Sequence, residues 1–267
     1  GKYFLVINAG NIDKDWAHLM NEAKNFDVKL TNVSDKYAAI AVQGPESKKI
    51  LMTLSGGRQL TPENVKNALN SLTMEGKPVR IAKTGYTGEP IGYELYCNSE
   101  DARYFWDRLI ELGAKPTALG ARDTTRMEAA LPLYGHEMGE CEMGGEIQIY
   151  AVPLAKFAVS FDAAKGDFIG REPLKKQFEA LKKIMNRDYS SIEDLPYRIQ
   201  PIYLEGKGVL RKGFPIYCKD AWAEGKQIGY VTSGTMIPYY KTEGQGLESV
   251  FTDETGKRSI GLAYMDS

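Results

Sequence analysis

The run KTGYTGEPIGYELYC, residues 83–97, constrains the fold more than any other stretch of this chain. Glycines at 85, 88 and 92 open positive φ to a turn, and the residues after them alternate in character. The pattern predicts a strand, a tight turn and a second strand, with Tyr93, Leu95 and Cys97 on one face and Glu94 and Tyr96 on the other. Beyond it, Ser99 is placed to cap a helix in which Ala102, Phe105, Trp106, Leu109 and Leu112 recur at helical spacing, and Gly113 is placed to end it. Glu100 and Asp101 suit its positive end. A second helix is expected over residues 120–128, where Arg122 and Arg126 stand four apart, share one face and together can meet an acidic ligand.

The flanking chain reads as mixed helix and strand. An apolar strand is expected over residues 3–8, with no turn or cap before it, and a helix over 13–26 burying Trp16, Leu19, Met20, Ala23 and Phe26, capped by Asn11 or Asp13. Val28 and Leu30, then residues 38–42, read as strands. Pro45 fits the first turn of a helix through Ile50, Leu51 and Leu54 that ends at Gly56-Gly57. Thr61-Pro62 opens another, carrying Val65, Ala68, Leu69 and Leu72 at helical spacing. Val79 and Ile81 begin the strand that leads to Tyr86. Further on, residues 157–161 read as a strand. Residues 172–187 read as an amphipathic helix with Leu174, Phe178, Leu181 and Met185 inward and Lys175, Lys176, Lys182 and Lys183 outward, a face able to steer an acidic partner.

Residues 188–194 are the candidate linker. From Pro196 onward short apolar strands alternate with glycine turns, Glu224-Gly225 among them, in the manner of a β-barrel or sandwich. The expectation is therefore an α+β core over residues 1–187 with mixed or antiparallel sheets, followed by a C-terminal β-barrel domain over 196–267. A charged segment, 241–258, interrupts the second part.

Charge narrows the choice of partner. With 34 basic and 35 acidic residues the chain gives no bulk electrostatic reason to bind nucleic acid or an anionic membrane. No apolar run approaches the roughly 20 residues that a membrane helix needs. Cys97, Cys141 and Cys218 are widely spaced and odd in number, which argues for neither a disulfide framework nor a metal site, and the compartment reads as reducing and cytoplasmic. His18 and His136 have no acidic or thiol companion at zinc spacing and read as structural or surface residues. No nucleophile elbow, phosphate loop or dinucleotide fingerprint occurs.

Polar groups at the rims of the central stretch are the remaining candidates for chemistry. A carboxylate at Glu94 or Glu89 can accept two parallel N–H donors from a planar heterocycle, or simply lie solvated in a turn. The Arg122 fork can meet a carboxylate or carbonyl, or stay an ordinary helix-surface cation. Tyr86 can stack on a ring or pack in a core. Arg126 and Glu128 read as members of structural ion pairs.

GYTGE followed by GYE, then GARDTTRMEAALPLYGHE, resembles the aminomethyltransferase (T-protein) family of the glycine cleavage system. The likeness extends in order through VINAGNIDKD at 6–15, AVQGP at 41–45, KGDFIGREPL at 165–174, GYVTSGT at 229–235 and SIGLAYM at 259–265. It implies a transferase that moves the methylene of an aminomethyl-dihydrolipoyl H-protein to tetrahydrofolate with release of ammonia, using no metal. The family's folate-binding glutamate falls on Glu94, although GEPIGYE is one residue longer than the usual loop. The GARD arginine falls on Arg122 and the GYTG tyrosine on Tyr86. Val6 and Asn8 match residues lining the folate pocket, and Tyr150 stands where the family usually has a tryptophan.

No catalytic residue is assigned. The family's aspartate falls in a segment before Gly1, so on the resemblance the chain reads as a fragment, short at both ends and inactive by itself. Two rival readings are a folate-dependent demethylase, or the folate domain of a sarcosine-type dehydrogenase, and a non-catalytic folate-binding protein of iron-sulfur maintenance. The last carries a cysteine where this chain has Asp167.

Overall fold

Packing in the computed structural model, which describes residues 1–63, 65, 67–219 and 225–267, breaks once, giving units of residues 1–116 and 117–267. In the first unit α1 (Ile12–Glu22) is followed by β1 (Tyr37–Gln43), α2 (Ser47–Leu54), β2 (Leu69–Met74), β3 (Lys77–Ala82), β4 (Gly92–Asn98) and α3 (Ala102–Glu111). The strands form one antiparallel sheet in the order β1-β4-β3-β2. Its inner face is the alternating set the sequence predicts: Tyr93, Leu95 and Cys97, joined by Val42, Val79 and Ile81, with Leu51 and Leu54 of α2 and Phe105 and Leu109 of α3 closing the core. A glycine pair ends α2 as expected, because Gly56 and Gly57 take positive φ and return their N–H groups to Thr53 and Met52.

In the second unit the order is α4 (Leu119–Glu128), the two-residue strands β5 (Gly139–Glu140) and β6 (Glu146–Ile147), α5 (Ala155–Ala158), α6 (Arg171–Met185), β7 (Tyr197–Leu204), β8 (Pro215–Tyr217), β9 (Gln227–Glu243) and β10 (Val250–Asp266). The last four make an antiparallel sheet in the order β7-β10-β9-β8. The α+β class with a C-terminal half-barrel is what the structure has. The charged segment 241–258 forms the distal part of the β9–β10 hairpin, each strand 17 residues long.

Several expectations are corrected. Residues 1–8 form no strand, since no neighbouring strand takes up their backbone groups. Val28 and Leu30 are likewise irregular, and α1 buries none of its side chains completely; Met20 and Phe26 are exposed. The helix expected from Thr61 is replaced by β2, because Glu75 and Gly76, at φ 46° and 82°, form a two-residue hairpin turn that pairs β2 with β3. Residues 157–161 hold the end of α5 and irregular chain rather than a strand. Trp106 is half exposed, and on α6 it is Ile184, not Met185, that turns inward. Ser99 donates to the Asp35 carbonyl at 2.6 Å instead of capping α3.

The division between units does not fall at the candidate linker, residues 188–194. Leu195 and Ile199 share a core with Tyr150, Leu181 and Leu262, so residues 117–187 and the terminal sheet bury one apolar surface. The turn residue Glu224 lies outside the described residues.

Candidate functional site

Alternation along β3 and β4 sends Arg80, Ala82, Glu94 and Tyr96 to the face opposite the core of the first unit. Register then decides the surroundings of Glu94, which stands across from Ala41 on β1 and Ala82 on β3. Its cross-strand neighbours are therefore methyl groups, which offer the carboxylate no hydrogen bond. The Tyr96 hydroxyl donates to Glu94 Oε2 at 2.6 Å, a charge-assisted bond that fixes the side chain. Burial, and then the hydrogen bond to Glu94, push the Tyr96 phenol up, which favours keeping its proton on the hydroxyl that donates. Glu94 Oε1 has no further hydrogen bond among the described residues. It keeps acceptor sites for incoming N–H donors.

Three aromatic and cationic groups bring the N-terminal segment to the same face. The Phe4 ring meets Tyr37 and Tyr96 edge-on at 5.4 and 5.8 Å, and the Arg80 guanidinium lies over Phe4 and Tyr37 at 5.1 and 5.3 Å. Val6 and Asn8 follow directly and are exposed. Tyr86 and Glu89, both half-buried, sit on the loop between β3 and β4, turned at Gly88 with φ 81°. Four of the six candidate residues, Val6, Asn8, Tyr86 and Glu94, thus belong to the first unit. Ala41 and Ala82 complete the setting of Glu94 and were missed in the sequence, which placed Tyr96 on this face without its bond to Glu94; the small-large alternation of Ala39 and Ala41 with Ile40 and Val42 was the available signal for Ala41.

Arg122 and Tyr150 belong to the second unit. Arg122 is exposed on α4 and makes no ion pair among the described residues. Arg126, one turn later, does not share its availability. It is buried, and its guanidinium donates to Asp123 at 2.8 Å, Glu137 at 2.8 Å, Ser233 at 2.8 Å and the Leu131 carbonyl at 3.0 Å. The expectation of two arginines meeting one ligand is therefore corrected: Arg126 is consumed by the fold, as its ion-pair assignment anticipates. Glu128 is exposed and unpaired among the described residues.

The same network sets a histidine. Ser233 donates its only hydroxyl hydrogen to Glu137 Oε1 at 2.6 Å and accepts from Arg126, so His136 Nδ1, 3.0 Å away, must be the donor. Tyr150 is fully buried, with its ring against Phe178 at 5.3 Å and Phe161 at 6.4 Å. Its hydroxyl lacks a partner among the described residues, and burial pushes its phenol up. A ring enclosed on every side supports a core, not an open wall for a ligand.

Among the described residues no group of His, Cys, Asp and Glu could hold a metal, and no helix is long and apolar enough to cross a membrane.

The family model described as the GCVT N-terminal domain matches residues 1–150. The aminomethyltransferase of Halalkalibacterium halodurans is 39% identical over 270 residues, covering 100% of this chain and 62% of that protein. That of Caldanaerobacter subterraneus subsp. tengcongensis is 36% identical over 269 residues, covering 99% and 60%. That of Staphylococcus carnosus is 38% identical over 242 residues, covering 89% and 58%. The chain spans about three fifths of the length of these curated relatives. Among solved structures, the glycine cleavage system aminomethyltransferase T of Bartonella henselae aligns with a TM-score of 0.63 at 22% identity, over 97% of this chain and 59% of that one. That likeness is one of fold.

Proposed function

Because this chain belongs to the family of the GCVT N-terminal domain, we propose that it acts in tetrahydrofolate-dependent aminomethyl transfer. The methylene of an aminomethyl group on a dihydrolipoyl carrier, the H-protein, passes to tetrahydrofolate, and ammonia is released. The observation that carries this reading is Glu94: a carboxylate fixed through one oxygen by Tyr96 and framed by Ala41 and Ala82, with acceptor sites left over. The amino group and ring N–H on one edge of a pterin are the donors such a group matches.

Tyr86 is assigned to stack on or close over the ring, and Val6 and Asn8 to line it. Arg122 is assigned to a carboxylate or carbonyl of the folate. Tyr150 is assigned no contact, given its enclosure. The part these residues play is binding and orientation, and holding two reactants in one geometry supplies much of the rate in such transfers. The site of action is assigned to the cytoplasm. Asp167, in the place of the rival family's cysteine, stands against the iron-sulfur maintenance reading.

The test is tetrahydrofolate titration of the protein, together with methylenetetrahydrofolate formation from aminomethyl-lipoyl H-protein, with sarcosine as the competing substrate. Arg122→Ala should weaken folate binding about tenfold or more. Binding that is unchanged in this variant, or turnover of sarcosine alone, would defeat the assignment.

A further inference from the structure

We propose that Gln43 is a positioning residue that holds the Tyr86 loop against β4 and so sets the spacing between Tyr86 and Glu94. The role rests on the folate reading of this face. Gln43 ends β1 directly opposite Gly92, and its side chain runs on under the loop between β3 and β4. Nε2 donates to the Thr84 carbonyl at 3.3 Å and the Tyr93 carbonyl at 3.0 Å, while Oε1 accepts from the Thr87 hydroxyl at 3.4 Å. One amide therefore ties the residues on both sides of Gly85-Tyr86 to the strand that carries Glu94.

Two glycines show how closely the amide is housed. A Cβ on Gly85 would stand 1.8 Å from Gln43 Oε1, and a Cβ on Gly92 would stand 2.3 Å from it. Neither glycine takes a left-handed φ, whereas Gly88 does. Gly88 is required by conformation; a side chain at Gly85 or Gly92 would instead have to displace the Gln43 amide from its hydrogen bonds. The loop glycines and the strand-end glutamine thus form one device, and the turn they build presents Tyr86.

Gln43→Met keeps length and volume but loses all three hydrogen bonds. Hydrogen exchange of amides 84–88 and tetrahydrofolate titration are measured on the unaltered protein and this variant, with the melting temperature as a check on folding. Faster exchange at 84–88 and folate binding weakened about tenfold, at a melting temperature within a few degrees, are expected. Unchanged exchange would overturn the clamp whatever folate does. Faster exchange with unchanged affinity would overturn its positioning role. A protein that does not bind folate at all would end the folate reading, and the positioning role with it, while exchange still judged the clamp.

A second pair of variants keeps the claim open to refutation if Gln43→Met unfolds. Gly85→Ala should loosen the same amides, and adding Gln43→Ala should make nothing worse than Gln43→Ala alone, since the new methyl then occupies the vacated space. Additive loosening in the double variant would overturn the steric coupling.

Discussion

Glu94 and Glu137 are the same side chain put to opposite uses. Glu137 is wholly buried, and both oxygens are engaged, by Ser233 on one side and by Arg126 and the Leu133 N–H on the other. Glu94 is half-buried, with one oxygen engaged by Tyr96 and two alanines as its cross-strand neighbours. A buried charge is tolerable only when its hydrogen-bonding capacity is filled, so Glu137 has nothing left for a ligand. Glu94 pays no such penalty and retains capacity. Availability, rather than the presence of a carboxylate, separates a binding group from a structural one.

The largest effect should come from breaking the filled network. Arg126→Ala leaves Glu137 charged and without its main partner, and removing one member of a buried pair typically costs about 3–5 kcal/mol. Urea denaturation should register that loss. Replacing both residues with apolar ones, Arg126→Met with Glu137→Leu, should cost clearly less than the sum of the single changes, and strict additivity would show the pair is not coupled.

Glu94→Gln should sharpen the contrast in the other direction. Stability should stay within about 0.5 kcal/mol, as for a site outside the core. Tetrahydrofolate affinity should fall about tenfold to a hundredfold, the equivalent of one charge-assisted hydrogen bond. A stability loss as large as that of Arg126→Ala, with folate affinity intact, would make Glu94 a second Glu137. Tyr96→Phe should lie between, weakening binding about twofold to tenfold because it frees the carboxylate to turn without removing it.

The contrast also marks how far the sequence could be read. Strict alternation made β4 legible, and with it the face that Glu94 occupies; the helical spacing of Phe105 and Leu109 did the same for α3. The spacing of Leu69 and Leu72 misled because short apolar runs fit either period. In β2 the three-residue step puts the two on opposite faces, and Leu69 is exposed while Met74, two beyond Leu72, is buried. The Glu75-Gly76 turn would have decided the matter. The setting of Glu94 was hidden because Ala41 lies 53 positions away in sequence (94 − 41) and becomes a neighbour only through strand register. Arg126 looked equivalent to Arg122 because helical spacing reports the face, not the depth. Its partner Ser233 is 107 residues distant.

Glu75 offers the smallest and most exact probe, because both its oxygens are engaged, as in Glu137, while the residue itself stands exposed. It sits in the β2–β3 turn at positive φ and is paired with Arg108 of α3 at 2.8 Å, with Tyr104 donating to it at 2.6 Å. The Arg108 hydrogen bond, then that of Tyr104, holds its carboxyl down at about 2, against an ordinary value of 4.5. A carboxyl with a lowered folded-state pKa favours the unfolded state when protons are taken up, so its contribution is complete above about pH 4.5 and is lost as pH falls through about 2. Solvent reaches this pair, which keeps the contribution below that of the buried network. Glu75→Gln should therefore be less stable than the unaltered chain at pH 6, and the two should converge as pH approaches 2. Denaturant melts across that window would read the difference directly. A gap that stays constant down to pH 2 would mean that Glu75 acts through the turn backbone alone, and that its pairing with α3 contributes nothing to the fold.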